Sequence, residues 1–247
     1  MVLSDRLEKI IEAVPRCKSV ADIGCDHGYV SMELIRRGKA DHAVAADVNE
    51  GPLSRAKKNI EDAGLSDRIE IVLSDGLLNI SVPECIVISG MGGRLMRDIL
   101  NFTPTTSGAY EKNTSSCSLS DCRCLILSPQ SEPEILRSFI QEDLGFYIRD
   151  ESMVKDMGKY YVIISAQNPK YMEAELYTGD RYIEDEDFIY GKRLIQKRDT
   201  VFLEYLRDRL KKDKMILSEL EKNGQSEVSS ERKKEILGRD EFIEKIL

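Results

Sequence analysis

The segment VADIGCDHGYV runs from Val20 to Val30. Its apolar lead-in reads as a buried strand, and "YVSMELIRRG" after it reads as a helix ended by Gly38. Between them the spacing is Asp22-x-Gly24-x-Asp26-x-Gly28, with His27 between the last two. Glycines at such intervals let a backbone approach a ligand closely, and the helix start offers free N–H groups. The dinucleotide fingerprint would be G-x-G-x-x-G. Here an acid precedes the glycines, which disfavours a pyrophosphate and suits a ligand that carries a cation.

Outward from this point the same alternation recurs. "HAVAADV", "IEIVLSD", "CIVISG" and "CLILSPQ" read as strands. "GPLSRAKKNIEDAG", "GGRLMRDILNF" and "EPEILRSFIQEDLG" read as the helices between and after them. Strand–helix alternation predicts an α/β domain with a mostly parallel sheet covered on both faces. "FYIRDESMV" and "KYYVIISAQ" follow each other with no helix between, so they are expected to form an antiparallel hairpin at one sheet edge, the sixth and seventh strands. Upstream, Ser4 is placed to cap a helix that Pro15 stops. Residues 103–123 are polar and rich in Ser and Thr, and read as a loop insertion.

After Asn168 the alternation stops. "IYGKRLIQKRDTVFLEYLRDRLKKDKMILSELEKN" has apolar residues at Leu194, Val201, Tyr205, Leu210 and Leu220 amid dense charge. "SEVSSERKKEILGRDEFIEKIL" repeats that style after a break near Gly224. Two helices folded back as an antiparallel, coiled-coil-like pair are expected. The predicted domains are therefore 1–168 and 169–247.

Composition narrows the function. The 247 residues carry a net charge of −8, which argues against indiscriminate nucleic-acid binding. The charge is uneven: residues 191–247 hold 15 Lys and Arg against 12 Asp and Glu, and the rest hold 21 against 32. No apolar run reaches the ~18 residues of a membrane span, and the N-terminus is amphipathic, unlike a signal peptide. The six cysteines form no C-x-x-C pair, and there are two histidines, so no metal site is expected. Reduced thiols and a cytoplasmic protein are the reading.

A doubly wound sheet binds its ligand outside the carboxyl ends of its strands. The second strand ends in Asp47-Val48-Asn49, where a carboxylate can accept both ribose hydroxyls. The third ends in Asp75-Gly76, where an acid can accept from an adenine amino group. The first offers Asp22 to an ammonium. S-adenosyl-L-methionine has those three parts. Gly24, Cys25, Asp26, His27 and Gly28 are expected beside it. After the fourth strand, Gly90, Gly92 and Gly93 leave room for a flat base, with Met91 packing on it or on the cofactor's adenine, and Gly90, Met91 and Gly92 are expected beside the cofactor. Asn/Asp-Pro-Pro-aromatic, which shapes a carbonyl acceptor for an exocyclic amino group, is absent there, and this favours a ring nitrogen as the target. Ordinary turn roles for the three acids are the competing reading.

"DIGCDHGYV", "DVNEGPL", "SDGL" and "ISGMGG" resemble the bacterial tRNA (adenine-N1)-methyltransferases of the TrmK family, which modify adenine at position 22 in the D-arm. The resemblance covers the chain from the N-terminal helix through "GKYYVII" and continues more loosely to the end. It implies a class I, Rossmann-like methyltransferase fold with a helical C-terminal domain, S-adenosyl-L-methionine as cofactor and tRNA as partner. In place of the family's usual Gln-Pro-Asn after the fifth strand stands Ser128-Pro129-Gln130.

Adenine N1 has a free lone pair, so methyl transfer there needs no strong base and leaves a cationic nucleobase. Asp26 is the candidate to stabilise that charge or to orient the methionine end. His27 is the candidate to hydrogen-bond cofactor or substrate, or else to fix the loop. Pro129 and Gln130 lie where substrate enters. Phosphate contacts require cations, and Lys192, Arg193, Lys197 and Arg198 are the foremost candidates, with Arg207, Arg209, Lys211 and Lys212 beyond them. Arg36, Arg37, Lys57 and Lys58 form a weaker group. A monomer or weak dimer is expected. A methyltransferase of another RNA, of a small molecule or of a protein, and a non-catalytic cofactor-binding protein, are the alternatives.

Overall fold

A computed structural model describes residues 3–101, 119–173, 180–222 and 227–247. The expected insertion at 103–123 falls largely outside the described residues, as does the break at Gly224. The chain divides into two compact units, Met1–Arg193 and Leu194–Leu247.

In the first unit α1 (Asp5–Ala13) precedes β1 (Cys17–Ile23), α2 (Tyr29–Arg36), β2 (Ala40–Asp47), α3 (Glu50–Asp62) and β3 (Ile69–Leu73). Then come β4 (Cys85–Ser89), α4 (Gly93–Leu100), β5 (Cys124–Ser128), α5 (Pro133–Ser138), β6 (Tyr147–Asp156) and β7 (Lys159–Gln167). The seven strands form one sheet in the order β3-β2-β1-β4-β5-β7-β6. Pairing is parallel from β3 to β5, and β7 runs antiparallel to both β5 and β6. The chain moves outward from β1 to β3, then returns to the other side of β1 with β4. That reversal opens a crevice at the carboxyl ends of β1 and β4.

The central strands are buried almost without alternation, as in Val20, Ala21 and Ile23, in Ile86, Val87 and Ile88, and in Leu125, Ile126 and Leu127. Helices on both faces leave such strands no solvent side. Each helix turns one stripe inward: Leu53, Ala56 and Ile60 on α3, Met96 and Leu100 on α4. Ser4 caps α1 by accepting from the Leu7 N–H at 3.4 Å. All five described cysteines are buried free thiols.

The course of the chain departs from the expected one at three places. The helix after β5 is not uniform: α5 passes into a π-helical turn over Phe139–Asp143. Phe139, Ile140 and Gln141 are buried in succession along this wider turn. The Gln141 amide then bonds both backbone groups of Tyr182, at 2.9 and 2.8 Å.

The first unit also extends past residue 168, because residues 180–193 are built into it as a strap. Arg137 and Glu151, 2% and 0% exposed, pair at 2.7 Å, and Arg137 donates to the carbonyls of Phe188 and Ile189. Tyr182 donates its hydroxyl to Glu151. A Cβ at Gly191 would run into the Glu151 carboxylate, and φ there is +90°, so the chain passes this point only as glycine.

α6 (Lys192–Lys197) ends at Arg198, whose φ is +50°. Asp199 caps the next helix, α7 (Thr200–Lys222), by accepting from the Phe202 N–H at 2.8 Å. The long helix expected from the sequence is therefore two. In the second unit α7 buries Phe202, Leu206 and Leu210, and α8 (Glu227–Ile246) buries Ile236, Ile243 and Ile246. Arg239 grips the buried Asp213 with two bonds, 3.0 and 2.7 Å, and Lys233 pairs with Glu221 at 2.8 Å. Partner numbers fall on α8 as they rise on α7, so the pair is antiparallel.

Candidate active site

The loop after β1 holds its shape by three left-handed residues at every second position: Gly24 (φ +76°), Asp26 (+49°) and Gly28 (+73°). This is the physical content of the D-x-G-x-D-x-G spacing, since aspartate is among the few side-chain-bearing residues at home in that region. The Gly24 and Cys25 N–H groups both donate to the Ala46 carbonyl, at 2.8 and 3.0 Å, which ties the loop to β2. A Cβ on Gly28 would stand 3.3 Å from that of Ala56 and 3.4 Å from Ile60, so this glycine lets α3 pack closely.

A cleft of about 540 Å³ opens above this loop, within the size range of small-ligand sites. Its lining includes Asp22, Gly24, Cys25, Asp26 and His27 from β1 and its loop, Asp47, Val48 and Asn49 after β2, and Asp75 and Gly76 after β3. Gly90 and Met91 after β4 and Gln130 after β5 complete the set of sequence candidates that it brings together. Gly28, Gly92 and Pro129 stand outside the lining. Gly92 caps α4, and Pro129 precedes Gln130, whose N–H donates to the Met91 carbonyl at 2.8 Å.

Asp22 is 2% exposed and accepts from the Ser31 hydroxyl at 3.0 Å. Burial raises its carboxyl to about 6, with Asp47 adding to the rise and the bonds to Ser31 opposing it. Below about pH 6 it holds a proton that an arriving cation would displace. Burial, followed by the fields of Asp22 and Asp47, pushes the Cys25 thiol far up, so it is a neutral wall and no nucleophile. Asp47 Oδ1 accepts from the Asn49 N–H at 2.9 Å, which holds the carboxylate at the end of β2. Asp26 is 62% exposed, and His27 stacks on Tyr29 with ring centres 5.3 Å apart. The Met91 methyl packs onto Gly24, in space that a side chain at position 24 would fill.

The lining also includes Arg6 and Leu7 from α1, Tyr29 from α2, and Leu95 and Ile99 from α4. None of these carries a local motif. They enter because helices far apart in sequence converge on the crevice.

Lys192 and Arg193 do not present free cations. Lys192 pairs with Asp180 at 2.8 Å and with Asp187 at 3.7 Å. Arg193, 8% exposed, donates to the Ile148 carbonyl at 3.1 Å and the Tyr147 hydroxyl at 2.8 Å, and pairs with Asp180. Both are bonded within the strap. Lys197 and Arg198 are exposed. Of the weaker group, Arg36 and Arg37 are engaged by Glu33 and Glu8, and Lys57 lies 3.9 Å from Glu61.

A smaller cleft of about 370 Å³ lies at the opposite ends of β1 and β5, beside Cys17 and Cys124. Its Arg16, Arg123 and Arg149 are offset by Glu12, Glu84 and Asp150, and it has no acid-bearing strand ends to sort the parts of a ligand. Among the described residues no group of three or more His, Cys, Asp or Glu could hold a metal ion. No described helix is long and apolar enough to cross a membrane.

The chain is similar to known proteins along its whole length. A tRNA (adenine(22)-N(1))-methyltransferase of Bacillus subtilis is 26% identical over 251 residues, covering 99% of this chain and 97% of that protein. The crystal structure of Streptococcus pneumoniae Sp1610 in complex with S-adenosyl-L-methionine matches all of both chains, at 28% identity and a TM-score of 0.79. A Listeria monocytogenes protein described as uncharacterized superposes with a TM-score of 0.83 at 25% identity, covering 99% of each chain. The resemblance to the TrmK family thus extends through both units. With residues 3–164 matching the family model for a methyltransferase domain, and with the glycine loop and acid-tipped strands in place, the chain belongs to the methyltransferase domain family.

Proposed function

We propose that this protein methylates N1 of adenine 22 in the D-arm of tRNA, with S-adenosyl-L-methionine as cofactor. The observation that carries the reading is the row of acids at three neighbouring strand ends, Asp75, Asp47 and Asp22, all lining one cleft beside a glycine loop. Their order along the sheet is the order of adenine, ribose and ammonium in that cofactor. When bound, the cofactor supplies a methyl group on a sulfonium, open to attack by a neutral nitrogen.

Asp22 pairs with the ammonium, Asp47 takes the ribose hydroxyls, and Asp75 takes the adenine amino group. Asp26, at the open side of the loop, lowers the energy of positive charge growing on the target base. Much of the rate comes from holding the two reactants in line. N1 lies on the Watson–Crick edge, so the target adenine must be unpaired and turned into the cleft. Gly90 and Gln130 border the space left for it, and Lys197 and Arg198 supply phosphate contacts. The protein works in the cytoplasm, as a monomer or weak dimer and without a metal.

The test is to incubate the protein with labelled cofactor and transcribed tRNA and to map the modified position. Label at adenine 22 is expected. Label at another nucleotide, or transfer to a small molecule but to no tRNA, overturns the reading.

A further inference from the structure

The loops that follow β4 and β5 are joined by three backbone bonds. The Gly90 N–H donates to the Ser128 carbonyl at 3.3 Å, the Gln130 N–H to that of Met91 at 2.8 Å, and the Gly93 N–H to that of Ser131 at 2.9 Å. Gln130 is thereby fixed at its backbone, while the residue stands exposed in the cleft lining. Asn49, the other amide of that lining, donates to Asp47 at 3.4 Å. The Gln130 amide makes no hydrogen bond with any described residue. Its Nε2 comes within 3.9 Å of where a Cβ on Gly90 would stand, and Arg6 Nη2 within 3.6 Å of the same point. The Arg6 guanidinium lies over the Tyr161 ring of β7, 5.0 Å from its centre. A guanidinium only donates and an ionised carboxylate only accepts, whereas an amide offers both in one plane.

Neighbouring strands lie about 4.8 Å apart, so β5, two strands along from β1, stands about 10 Å from it. A base whose N1 meets the sulfonium above β1 spans that gap and turns one flank to β5. It can lie two ways. In one, C2–H faces Gln130 and shuts the amide from water without a partner, which costs free energy. In the other, N6 and N7 face it, and an amide matches that edge with two bonds: Oε1 accepts from the amino group and Nε2 donates to N7. Guanine presents acceptors at both places, so the same amide would set its oxygen against one of them. We propose that Gln130 reads the N6–N7 edge of the target adenine and so sets the preference for that base. This rests on the adenine-N1 reading of the target and leaves N1 itself open to the methyl group.

The experiment measures single-turnover methylation by the full chain on two tRNAs, one with adenosine at position 22 and one with 7-deazaadenosine, in which C–H replaces N7. Gln130→Leu removes both bonds, and its rate on adenosine is expected to fall about 10- to 100-fold, the worth of a bidentate base contact. On 7-deazaadenosine the wild type keeps one bond of the two, so the ratio of wild-type to variant rate is expected to shrink several-fold. Comparing ratios cancels any change that the modified base makes to N1. Gln130→Glu keeps an acceptor for N6 and sets a second against N7, so it falls on adenosine and regains ground on 7-deazaadenosine. Affinity for S-adenosylhomocysteine by calorimetry stays that of wild type in both variants.

Equal ratios on the two tRNAs overturn the proposal and leave the adenine reading standing. A Gln130→Leu rate near wild type on adenosine does the same. A loss of cofactor affinity that matches the loss of rate also overturns it, and gives the amide to the cofactor. A wild type that leaves adenine 22 unlabelled removes the adenine reading and this proposal together.

Discussion

Arg55, on α3, donates to Asp26 Oδ1 across 3.1 Å, while the other oxygen of Asp26 lies 3.7 Å from His27 Nε2. A residue with left-handed backbone at the rim of the cleft is thus aimed by a helix that follows the next strand. The pair is more than half exposed on both sides, so its worth to folding is small.

Asp26→Asn keeps a side chain suited to that backbone and removes the charge. Turnover is expected to fall by at least about tenfold, a modest share of what charge stabilisation supplies in other sites, with circular dichroism unchanged. Single-turnover rates decide it: a rate near wild type takes Asp26 off the catalytic list.

Asp47→Ala removes the ribose acceptors at the end of β2. A loss of roughly 1–3 kcal/mol in cofactor binding is expected for a charged hydrogen-bonding partner. Equal affinity in calorimetry ends the assignment of Asp47.

Asp22 makes binding depend on pH. Its carboxyl lies at about 6 in the folded protein, against an ordinary 3.8. The folded state therefore holds the extra proton between those values, and the free protein loses stability as pH rises from about 4 to about 6. Pairing with an ammonium needs the ionised form, so cofactor affinity rises through the same window and levels off above it. Below pH 6, binding releases a proton, visible as a buffer-dependent heat. Asp22→Asn removes that dependence, and a wild-type heat that is the same in all buffers at pH 5.5 counts against the role.

Exposed and buried cations of the C-terminal third are expected to separate in one experiment. Reversing Lys197 and Arg198 to Glu weakens tRNA binding, lowers its salt slope by about two, and leaves cofactor affinity and melting temperature almost unchanged. Arg193→Glu instead costs roughly 3 kcal/mol of stability, the lower end for a broken buried pair because Asp180 is 38% exposed. Salt slopes from filter binding that are alike for wild type and the double reversal move the RNA surface elsewhere.

The strand–helix alternation, the edge hairpin and the three acid-tipped strands were legible from residues 20–167 alone. Period, cap and turn signals are local, and a parallel sheet buried on both faces writes itself as near-continuous apolar runs. The spacing of Gly24, Asp26 and Gly28 likewise announced a loop of unusual backbone, since few residue types accept a positive φ. What tertiary structure alone decided is which side chains from distant elements meet. Arg193 reads in sequence like its neighbours Lys197 and Arg198. It became a strap anchor because Tyr147, Ile148 and Asp180 surround it. Arg6 reads as one more charge on an amphipathic helix, and only the convergence of α1, β4 and β7 sets it in the cleft. Local sequence carries backbone preference and burial period, while the partner of a charge depends on contacts across tens of residues, which no spacing records.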